Sequence, residues 1–273
     1  MADPTSFLPP AGSRVAVLGA CGGIGADIVR ALVDGGCTVI AMDLPRSLAE
    51  APSPAPHAIA FNGRDPASID TAFAELAQIA PELDGLVIAS GFAGPRQPID
   101  QWGVDQIDDV LEGNLRLMTL CLRAAVPLLR HGRPASVVML TSDMAYIPQA
   151  GYAPYVAAKA GMVAMGQSVA RELAPSVRIN FVSPGAVDTP FLRGGRGRSN
   201  DPSAPLRFDM DAYLAQIPLA RMATAADVTG PVLFLLGLRW LPKRDERTAV
   251  DTAPRARWRR RRDLPLAAAI GLG

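Results

Sequence analysis

The sequence predicts an α/β protein with a doubly wound parallel sheet in a single domain, followed by an atypical basic tail. Three observations support this prediction. Short apolar strands alternate with helical stretches, which is typical of a parallel sheet covered on both faces. A glycine-rich turn joins the first strand to the first helix. With 273 residues, 49% of them hydrophobic, the chain is long enough and apolar enough to bury a large core.

The strands are predicted from short apolar runs, and the helices from apolar residues spaced three and four positions apart. The predicted strands cover residues 14–19, 37–42, 57–61, 85–89, 136–141 and 178–183. The predicted helices cover residues 26–34, 66–79, 104–130 and 154–173, and a further helix ends near Gly237. Residues 191–211 are rich in Gly, Arg, Asp and Pro without a period, so we expect a lid loop over about residues 191–217.

Composition excludes several classes of protein. The hydrophobic content and a charged fraction of 19% exclude a disordered chain, and no apolar run reaches the roughly eighteen residues of a membrane span. The first residues lack the basic patch and apolar core of a secretory signal. Cys21, Cys37 and Cys121 cannot all pair and show no metal-ligand spacing. We therefore expect a cytoplasmic protein without a metal site.

Charge is distributed unevenly along the chain. From Leu238 onward, ten Lys/Arg and four Asp/Glu give +6, so residues 1–237 carry −5. We expect one folded domain over residues 1–237 and an Arg-rich tail over residues 238–273 with no recognisable final strand. The tail is interpreted as solvated and disordered. Two alternatives are that the basic run at residues 257–262 binds nucleic acid or another acidic partner, and that a single-base shift in the gene replaced the native end.

The glycine-rich turn predicts a dinucleotide-binding, Rossmann-like fold. Gly19, Gly23 and Gly25 follow a strand and open a helix, where glycines allow a tight turn and close approach of the backbone to a pyrophosphate. Asp43 ends the second strand, where a carboxylate accepts hydrogen bonds from the adenosine ribose and repels a 2′-phosphate. NAD is therefore predicted in preference to NADP, although Arg46 lies near enough in sequence to relieve that repulsion.

Tyr155 and Lys159 stand four residues apart, on one face of a predicted helix. Because a neighbouring ammonium favours the phenolate, we expect the pKa of Tyr155 to fall from about 10 toward neutrality. Such a tyrosine exchanges a proton with an alcohol or carbonyl oxygen while hydride moves at the carbon. The pair alone is frequent by chance, but Ser142 at the end of a strand adds a hydroxyl that can hold the substrate oxygen.

Taken together, these residues resemble the short-chain dehydrogenase/reductase family over about residues 13–237. The matching motifs are GACGGIG, Asp43, Asn114 in EGNL, Ser142 in MLTSDM, YVAAK and NFVSPGAVDTP. The resemblance implies that Tyr155 is the acid/base and that Ser142 orients the carbonyl. It also implies that Lys159 binds the nicotinamide ribose and tunes Tyr155, and that Asn114 holds a water in a proton relay. The implied cofactor-binding residues are Gly19, Cys21, Gly23, Ile24, Gly25, Asp43, Asn62, Gly91, Lys159, Pro184, Gly185, Val187 and Thr189.

The sequence departs from the family pattern at three places. Leu18 replaces the usual threonine before the glycine turn, and the Asn-Asn-Ala-Gly motif keeps only its glycine, in Ile88-Ala89-Ser90-Gly91. Asn62 stands where an aspartate usually contacts adenine, although an amide offers both a donor and an acceptor. These changes bear on cofactor affinity and on the sheet, and none of them touches the proton or hydride step.

The substrate is predicted less closely than the reaction. Phe92, Met144, Ile147, Tyr152 and Phe191 are expected to form an apolar wall that favours a cyclic or aromatic-derived alcohol, such as a cis-dihydrodiol. A 3-oxoacyl thioester is equally compatible, and arginines of the lid offer an anion site: Arg193, Arg196, Arg198 and Arg207. The alternative function is a non-catalytic dinucleotide-binding protein whose basic tail binds an acidic partner. The resemblance further implies a homo-oligomer, either a dimer or a tetramer, unless the altered tail prevents it.

Overall fold

A computed structural model describes residues 8–131, 134–195, 209–215, 217, 219–237 and 249–251. Within these residues, seven parallel strands form one sheet in the order β3-β2-β1-β4-β5-β6-β7. The strands are β1 (Arg14–Leu18), β2 (Thr38–Asp43), β3 (His57–Ala60), β4 (Gly85–Ile88), β5 (Ala135–Leu140), β6 (Val177–Ser183) and β7 (Ala249–Asp251). The doubly wound α/β prediction is therefore confirmed.

Helices cover both faces of the sheet, and their bounds follow the apolar spacing of the sequence. They are α1 (Gly23–Asp34), α2 (Pro45–Glu50), α3 (Pro66–Ile79), α4 (Val104–Leu111), α5 (Leu117–Leu129), α6 (Ala153–Leu173), α7 (Met210–Leu214) and α8 (Ala225–Gly237). One buried core lies between the sheet and helices α3, α5 and α6, and a second lies between the sheet and helices α1 and α8. Consecutive residues of β1 point into opposite cores, since Ala16 belongs to the first and Val17 to the second.

The strand order reverses beside β1, and this reversal determines where the site lies. β1 pairs with β2 on one side and with β4 on the other, in registers that include Val17↔Ala41 and Val17↔Val87. At such a switch point the loops leaving the carboxyl ends of neighbouring strands diverge and open a crevice. The segments after β1, β4, β5 and β6 all meet at this edge of the sheet, and they carry most of the predicted site residues.

Three elements differ from the sequence-based prediction. The single helix predicted over residues 104–130 is divided, because a π-helical segment (Glu112–Arg116) separates α4 from α5. The short helix α2 was not predicted, although Pro45 occupies its first turn, a position that proline favours. The expectation of a tail without a final strand is wrong for residues 249–251, which form β7 and pair with β6 in the register Val182↔Val250.

The lid and tail predictions fall partly on residues that the structure does not describe. Residues 196–208, 238–248 and 252–273 lie outside the described part, and with them lie three of the four lid arginines and the basic run at residues 257–262. The described ends of the lid are not wholly irregular: a 3₁₀ turn (Pro190–Arg193) opens the segment, and α7 closes it. Within the described residues, no helix is both long enough and apolar enough to span a membrane.

Candidate active site

A cavity of about 820 Å³ opens at the carboxyl edge of the sheet, where the strand order reverses. Its lining is contributed by the segments that follow β1, β2, β3, β4, β5 and β6, by the start of α6 and by α7. Most of the residues predicted from the sequence line this one cavity: Gly19, Gly23, Ile24, Gly25, Asp43, Asn62, Gly91, Ser142, Tyr155, Lys159, Pro184, Gly185, Val187 and Thr189. The residues predicted for the cofactor and those predicted for catalysis are therefore brought together.

Glycine is required in the turn between β1 and α1. Gly19 has φ +80°, and a Cβ atom there would lie 2.7 Å from the backbone nitrogen of Ser90, after β4. A Cβ atom on Gly23 would lie 2.5 Å from Cβ of Thr189, and one on Gly25 would overlap the carbonyl oxygen of Gly19. No side chain caps the first turn of α1 among the described residues, so its N-terminal N–H groups and the positive end of the helix dipole are directed at this edge of the cavity.

Asp43 is held at the end of β2 by the turn itself. Its Oδ2 atom accepts a hydrogen bond from the backbone N–H of Cys21 at 2.8 Å, and its Oδ1 atom accepts one from Leu44 N–H at 2.7 Å. Burial raises the pKa of Asp43, while these two backbone donors oppose the rise. Arg46 turns away toward its own helix and pairs with Glu50 at 2.5 Å. The carboxylate therefore faces the cavity without help from that guanidinium.

Asn114 lies directly behind the cavity, at the π-helical segment between α4 and α5. Its Nδ2 atom donates to the carbonyl oxygens of Phe92 at 2.9 Å and of Val110 at 2.8 Å. The Oδ1 atom is buried and has no hydrogen-bond donor among the described residues. Gly91 separates it from the cavity, since a Cβ atom there would lie 2.5 Å from Asn114 Oδ1 and 3.2 Å from Lys159 Nζ. A π-helical turn thus points one unpaired acceptor toward Gly91 and Lys159.

Ser142, Tyr155 and Lys159 meet at one end of the cavity, and each is less than a tenth exposed. Ser142 ends the segment after β5, and its Oγ atom accepts a hydrogen bond from Met144 N–H at 3.2 Å. Tyr155 and Lys159 project from the same face of α6, with the Lys159 Nζ atom 5.5 Å from the centroid of the tyrosine ring. Lys159 Nζ also donates to the carbonyl oxygen of Leu140 at 3.2 Å, which anchors the side chain against β5.

The pKa values at this end of the cavity are set by burial. Burial lowers the pKa of Lys159 to about 7. It raises the pKa of Tyr155, and the charge of Asp143 raises it further, while a hydrogen bond with Ser142 lowers it. The expected fall of the Tyr155 pKa toward neutrality is therefore wrong for the protein by itself. A neighbouring cation favours the phenolate, but the free-energy cost of placing a phenolate away from water is larger here.

The loop after β6 closes the opposite side of the cavity. Asp143 N–H donates to the carbonyl oxygen of Pro184 at 3.0 Å, which ties this loop to the segment after β5. Ala186 N–H donates to the Tyr213 hydroxyl on α7 at 3.1 Å. The hydroxyl of Thr189 donates to the carbonyl oxygen of Val187 at 3.3 Å. The described end of the lid is therefore fixed to the loop that begins with Pro184-Gly185.

Three predicted residues do not line the cavity, and several lining residues were not predicted. Cys21 is buried, and it contributes its backbone N–H to Asp43, while Asn114 lies behind Gly91. The predicted apolar wall is confirmed as lining, together with polar residues that the motifs did not indicate: Asp143, Gln149, Arg96 and Tyr213. Of these, only Asp143 carried a sequence signal, because it directly follows Ser142. Arg193, predicted as a possible anion ligand, does not line the cavity.

Comparisons with known proteins show the family of the chain. A family profile described as "Enoyl-(Acyl carrier protein) reductase" matches residues 19–239. The chain is 31% identical to the L-fucose dehydrogenase of Bos taurus over 229 residues, which cover 82% of this chain and 83% of that protein. The chain belongs to the short-chain dehydrogenase/reductase family. It is accordingly an oxidoreductase that acts on CH–OH groups and binds a nicotinamide dinucleotide.

Further relatives in the family carry different activities. The cis-4-hydroxycyclohexanecarboxylate dehydrogenase of Sinomonas cyclohexanicum is 31% identical over 231 residues, covering 81% of this chain and 88% of that protein. The 3-oxoacyl-[acyl-carrier-protein] reductase of Escherichia coli is 31% identical over 237 residues, covering 82% and 89%. Among solved structures, Thermoplasma acidophilum aldohexose dehydrogenase has a similar fold, with a TM-score of 0.76 at 23% identity, covering 89% of this chain and 94% of that one.

Proposed function

We propose that the protein is an NAD(H)-dependent oxidoreductase that interconverts a secondary alcohol and a ketone on a ring, with Tyr155 as the acid/base. The observation that carries the proposal is the meeting of Ser142, Tyr155 and Lys159 at one end of the cavity, which we call its reactive end. When bound, a nicotinamide dinucleotide would supply the hydride chemistry at the substrate carbon. The side chains of this protein bind and orient the substrate oxygen and move the proton.

The proton step follows from the states of the three side chains. Because burial keeps Tyr155 protonated, its hydroxyl serves as the acid that gives a proton to the oxygen of a ketone. Lys159, with a pKa of about 7, is charged in part of the molecules at neutral pH and then stabilises the phenolate that remains. Ser142 holds the same substrate oxygen. In the oxidation direction these steps are reversed, and Tyr155 takes the proton of the alcohol only after it has lost its own proton.

The residues of the protein fit a nicotinamide dinucleotide. The uncapped start of α1 and the glycines before it suit a pyrophosphate, and Asp43 suits the two hydroxyls of the adenosine ribose. Asn114 holds a water through its unpaired Oδ1 atom, behind Gly91. Asp43 also favours NAD over NADP, because its carboxylate repels a 2′-phosphate and Arg46 is paired with Glu50. The cofactor proposed is therefore NAD(H), bound by the residues that line the cavity.

The substrate class follows from the wall of the cavity. Phe92, Tyr152 and Tyr155 belong to one buried apolar cluster, against which Met144 and Phe191 pack. This wall suits a ring better than a flexible polar chain. Relatives that oxidise L-fucose and a hydroxycyclohexanecarboxylate are consistent with a cyclic alcohol. A 3-oxoacyl thioester is the second candidate, which the similarity to 3-oxoacyl-[acyl-carrier-protein] reductase favours.

A panel of ketones and secondary alcohols, followed at 340 nm with both cofactors, tests this function. We expect turnover of ring alcohols with NAD⁺, and a loss of roughly 10²–10⁴-fold or more in Tyr155→Phe while NADH still binds. NADH binding is followed by fluorescence titration. Turnover in Tyr155→Phe equal to that of the natural chain rejects the mechanism, and activity on acyl thioesters alone rejects the ring substrate.

Assembly and location complete the proposal. We infer a homo-oligomer, because the family resemblance implies one and β7 completes the sheet edge at which subunit contacts are expected. Size-exclusion mass measures the oligomeric state. A reducing cytoplasm suits the three cysteines, which are buried and form no disulfide within the described residues. Among the same residues, no cluster of histidine, cysteine or acidic side chains could hold a metal ion. A non-catalytic role with a nucleic-acid-binding tail is disfavoured by the complete Ser142, Tyr155 and Lys159 set.

A further inference from the structure

Asp143 is placed at the reactive end of the cavity by the backbone on both of its sides. It directly follows Ser142, and its own N–H donates to the carbonyl oxygen of Pro184 at 3.0 Å. Its carbonyl oxygen accepts hydrogen bonds from the N–H groups of Tyr146 and Ile147, both at 2.9 Å. The residue is partly buried and lines the cavity. The backbone of Asp143 is therefore held by the loop after β6 and by the 3₁₀ turn that begins at this residue, and the backbone places the side chain beside the cavity.

The carboxylate of Asp143 lies within reach of both walls of the reactive end. Its charge raises the pKa of Tyr155 on α6 and the pKa of Tyr213 on α7. It also accepts a hydrogen bond from the Ser142 hydroxyl, with 3.0 Å between Ser142 Oγ and Asp143 Oδ1. A serine hydroxyl has one proton to donate. While Tyr155 is protonated and can itself donate to Ser142, the serine proton is directed at Asp143 instead of the place where the substrate oxygen must lie.

We propose that Asp143 is a specificity-determining residue, which binds a hydroxyl group on the carbon next to the reacting carbon of the substrate. The inference rests on the function proposed above. A neighbouring hydroxyl of the substrate donates a hydrogen bond to Asp143, and this bond replaces the one that Ser142 donates. Ser142 is then released to turn its own proton toward the reacting oxygen, which it shares with Tyr155. Binding of the neighbouring hydroxyl by Asp143 therefore frees the Ser142 proton, which then orients the reacting oxygen.

The spacing of the groups suits a vicinal diol or a 2-hydroxyketone. Its two oxygens lie about one hydrogen-bond length apart, which matches the 3.0 Å between Ser142 Oγ and Asp143 Oδ1. An ionised carboxylate accepts hydrogen bonds and donates none, so a hydroxyl or amine is the complementary group. A carboxylate or other anion on the same carbon is repelled by Asp143. The substrate class is therefore a ring alcohol with an uncharged donor beside the reacting carbon.

Three ring alcohols that differ at one carbon test the proposal: cyclohexanol, cis-1,2-cyclohexanediol and cis-2-hydroxycyclohexanecarboxylate. We expect kcat/KM of the natural chain with NAD⁺ to be roughly tenfold or more higher for the diol than for cyclohexanol, and lowest for the carboxylate. Asp143→Leu should reduce the diol-to-cyclohexanol ratio to about one. Asp143→Asn, which keeps one acceptor oxygen, should retain part of that ratio and raise the relative rate of the carboxylate. Asp105→Asn, an exposed acid-to-amide change on α4, should leave all ratios unchanged.

An equal diol-to-cyclohexanol ratio in the natural chain and in Asp143→Leu overturns the proposal, because Asp143 would then only support Ser142. Binding is measured separately from turnover by calorimetry on Tyr155→Phe saturated with NADH. The diol should bind roughly tenfold more weakly when Asp143→Leu is added to Tyr155→Phe, with little change for cyclohexanol. Equal loss for both ligands also overturns it. Absence of turnover in the natural chain counts against the proposed function. The calorimetric measurement needs no reaction, so its result still decides the role of Asp143.

Discussion

The Nζ atom of Lys159 lies 5.5 Å from the centre of the Tyr155 ring, and both side chains are almost completely buried. Their proximity favours a phenolate only when the lysine is charged, and burial makes that charge unfavourable. Each residue therefore resists ionisation in the protein by itself. In the proposed oxidation direction, a bound nicotinamide cation would add positive charge that favours the phenolate of Tyr155.

Lys159→Met tests the burial of this charge through the pH dependence of stability. The pKa of Lys159 is about 7 in the folded protein and 10.5 in a model peptide, so the unfolded chain binds the additional proton between these values. The free energy of unfolding should therefore rise with pH over this window, by at most about 1.4 kcal/mol per pH unit from this group. In Lys159→Met the rise should be smaller, and the variant should gain most, relative to the natural chain, below pH 7.

Urea titrations at pH 6, 7.5 and 9 measure this effect. Tyr155→Phe is the matched control, because the raised pKa of Tyr155 leaves it protonated in both folded and unfolded chains below about pH 9, so its slope should equal that of the natural chain. If the free energy of unfolding changes with pH equally in Lys159→Met and in the natural chain, Lys159 is not buried as described.

Gly91→Ala tests whether the close packing of Gly91 against Asn114 and Lys159 is needed for turnover. At φ +151°, an added Cβ atom would lie 2.5 Å from Asn114 Oδ1 and 3.2 Å from Lys159 Nζ, so one of these side chains must move. We expect turnover to fall about 10²-fold, since a displacement of about 1 Å at a catalytic group has that effect. Gly12→Ala is the control: its φ is +80°, with nothing within 4 Å of the added atom, so it should cost stability and leave turnover intact. Equal activity in the two variants would contradict the prediction.

Asp43→Ala should change cofactor preference. Removing a carboxylate that accepts ribose hydroxyls should weaken NADH binding about tenfold or more and leave NADPH binding no weaker than before. The ratio of the two dissociation constants, from fluorescence titration, is the measurement, because it is insensitive to a general loss of folded protein. Arg46→Ala is the control, and the pairing of Arg46 with Glu50 predicts an unchanged ratio. A higher NADH preference after Asp43→Ala would refute the assignment.

Strand β7 gives a test that separates the tail from the rest of the chain. Two truncated chains, one ending after Thr248 and one after Asp251, differ only in the residues that pair with β6. The shorter chain exposes the backbone edge of β6, so we expect a lower Tm and more aggregate by size exclusion. Identical Tm values and elution profiles would show that the three residues contribute nothing to the sheet.

Much of the fold follows from local pattern, because six of the seven described strands are apolar runs and the motif residues lie at their ends. The break at Glu112–Arg116 left no comparable signal, since apolar residues continue at helical spacing on both sides of the π-helical segment. β7 was missed because three residues within a charged segment are too short to show a period. The direction of the Tyr155 pKa was also missed: a spacing of four residues indicates a neighbour but carries no information about burial.

The hydrogen bond from Ala186 N–H to the Tyr213 hydroxyl has a use beyond packing. This amide is secured by a side chain of α7 in place of a strand or helix partner, so its exchange with deuterium depends on how often α7 departs from the loop after β6. Tyr213→Phe would leave the amide unprotected without altering the backbone. One resonance, or one peptide in a mass spectrum, thereby reports how often α7 separates from the loop after β6, and shows whether a bound diol makes that separation rarer than a simple alcohol does.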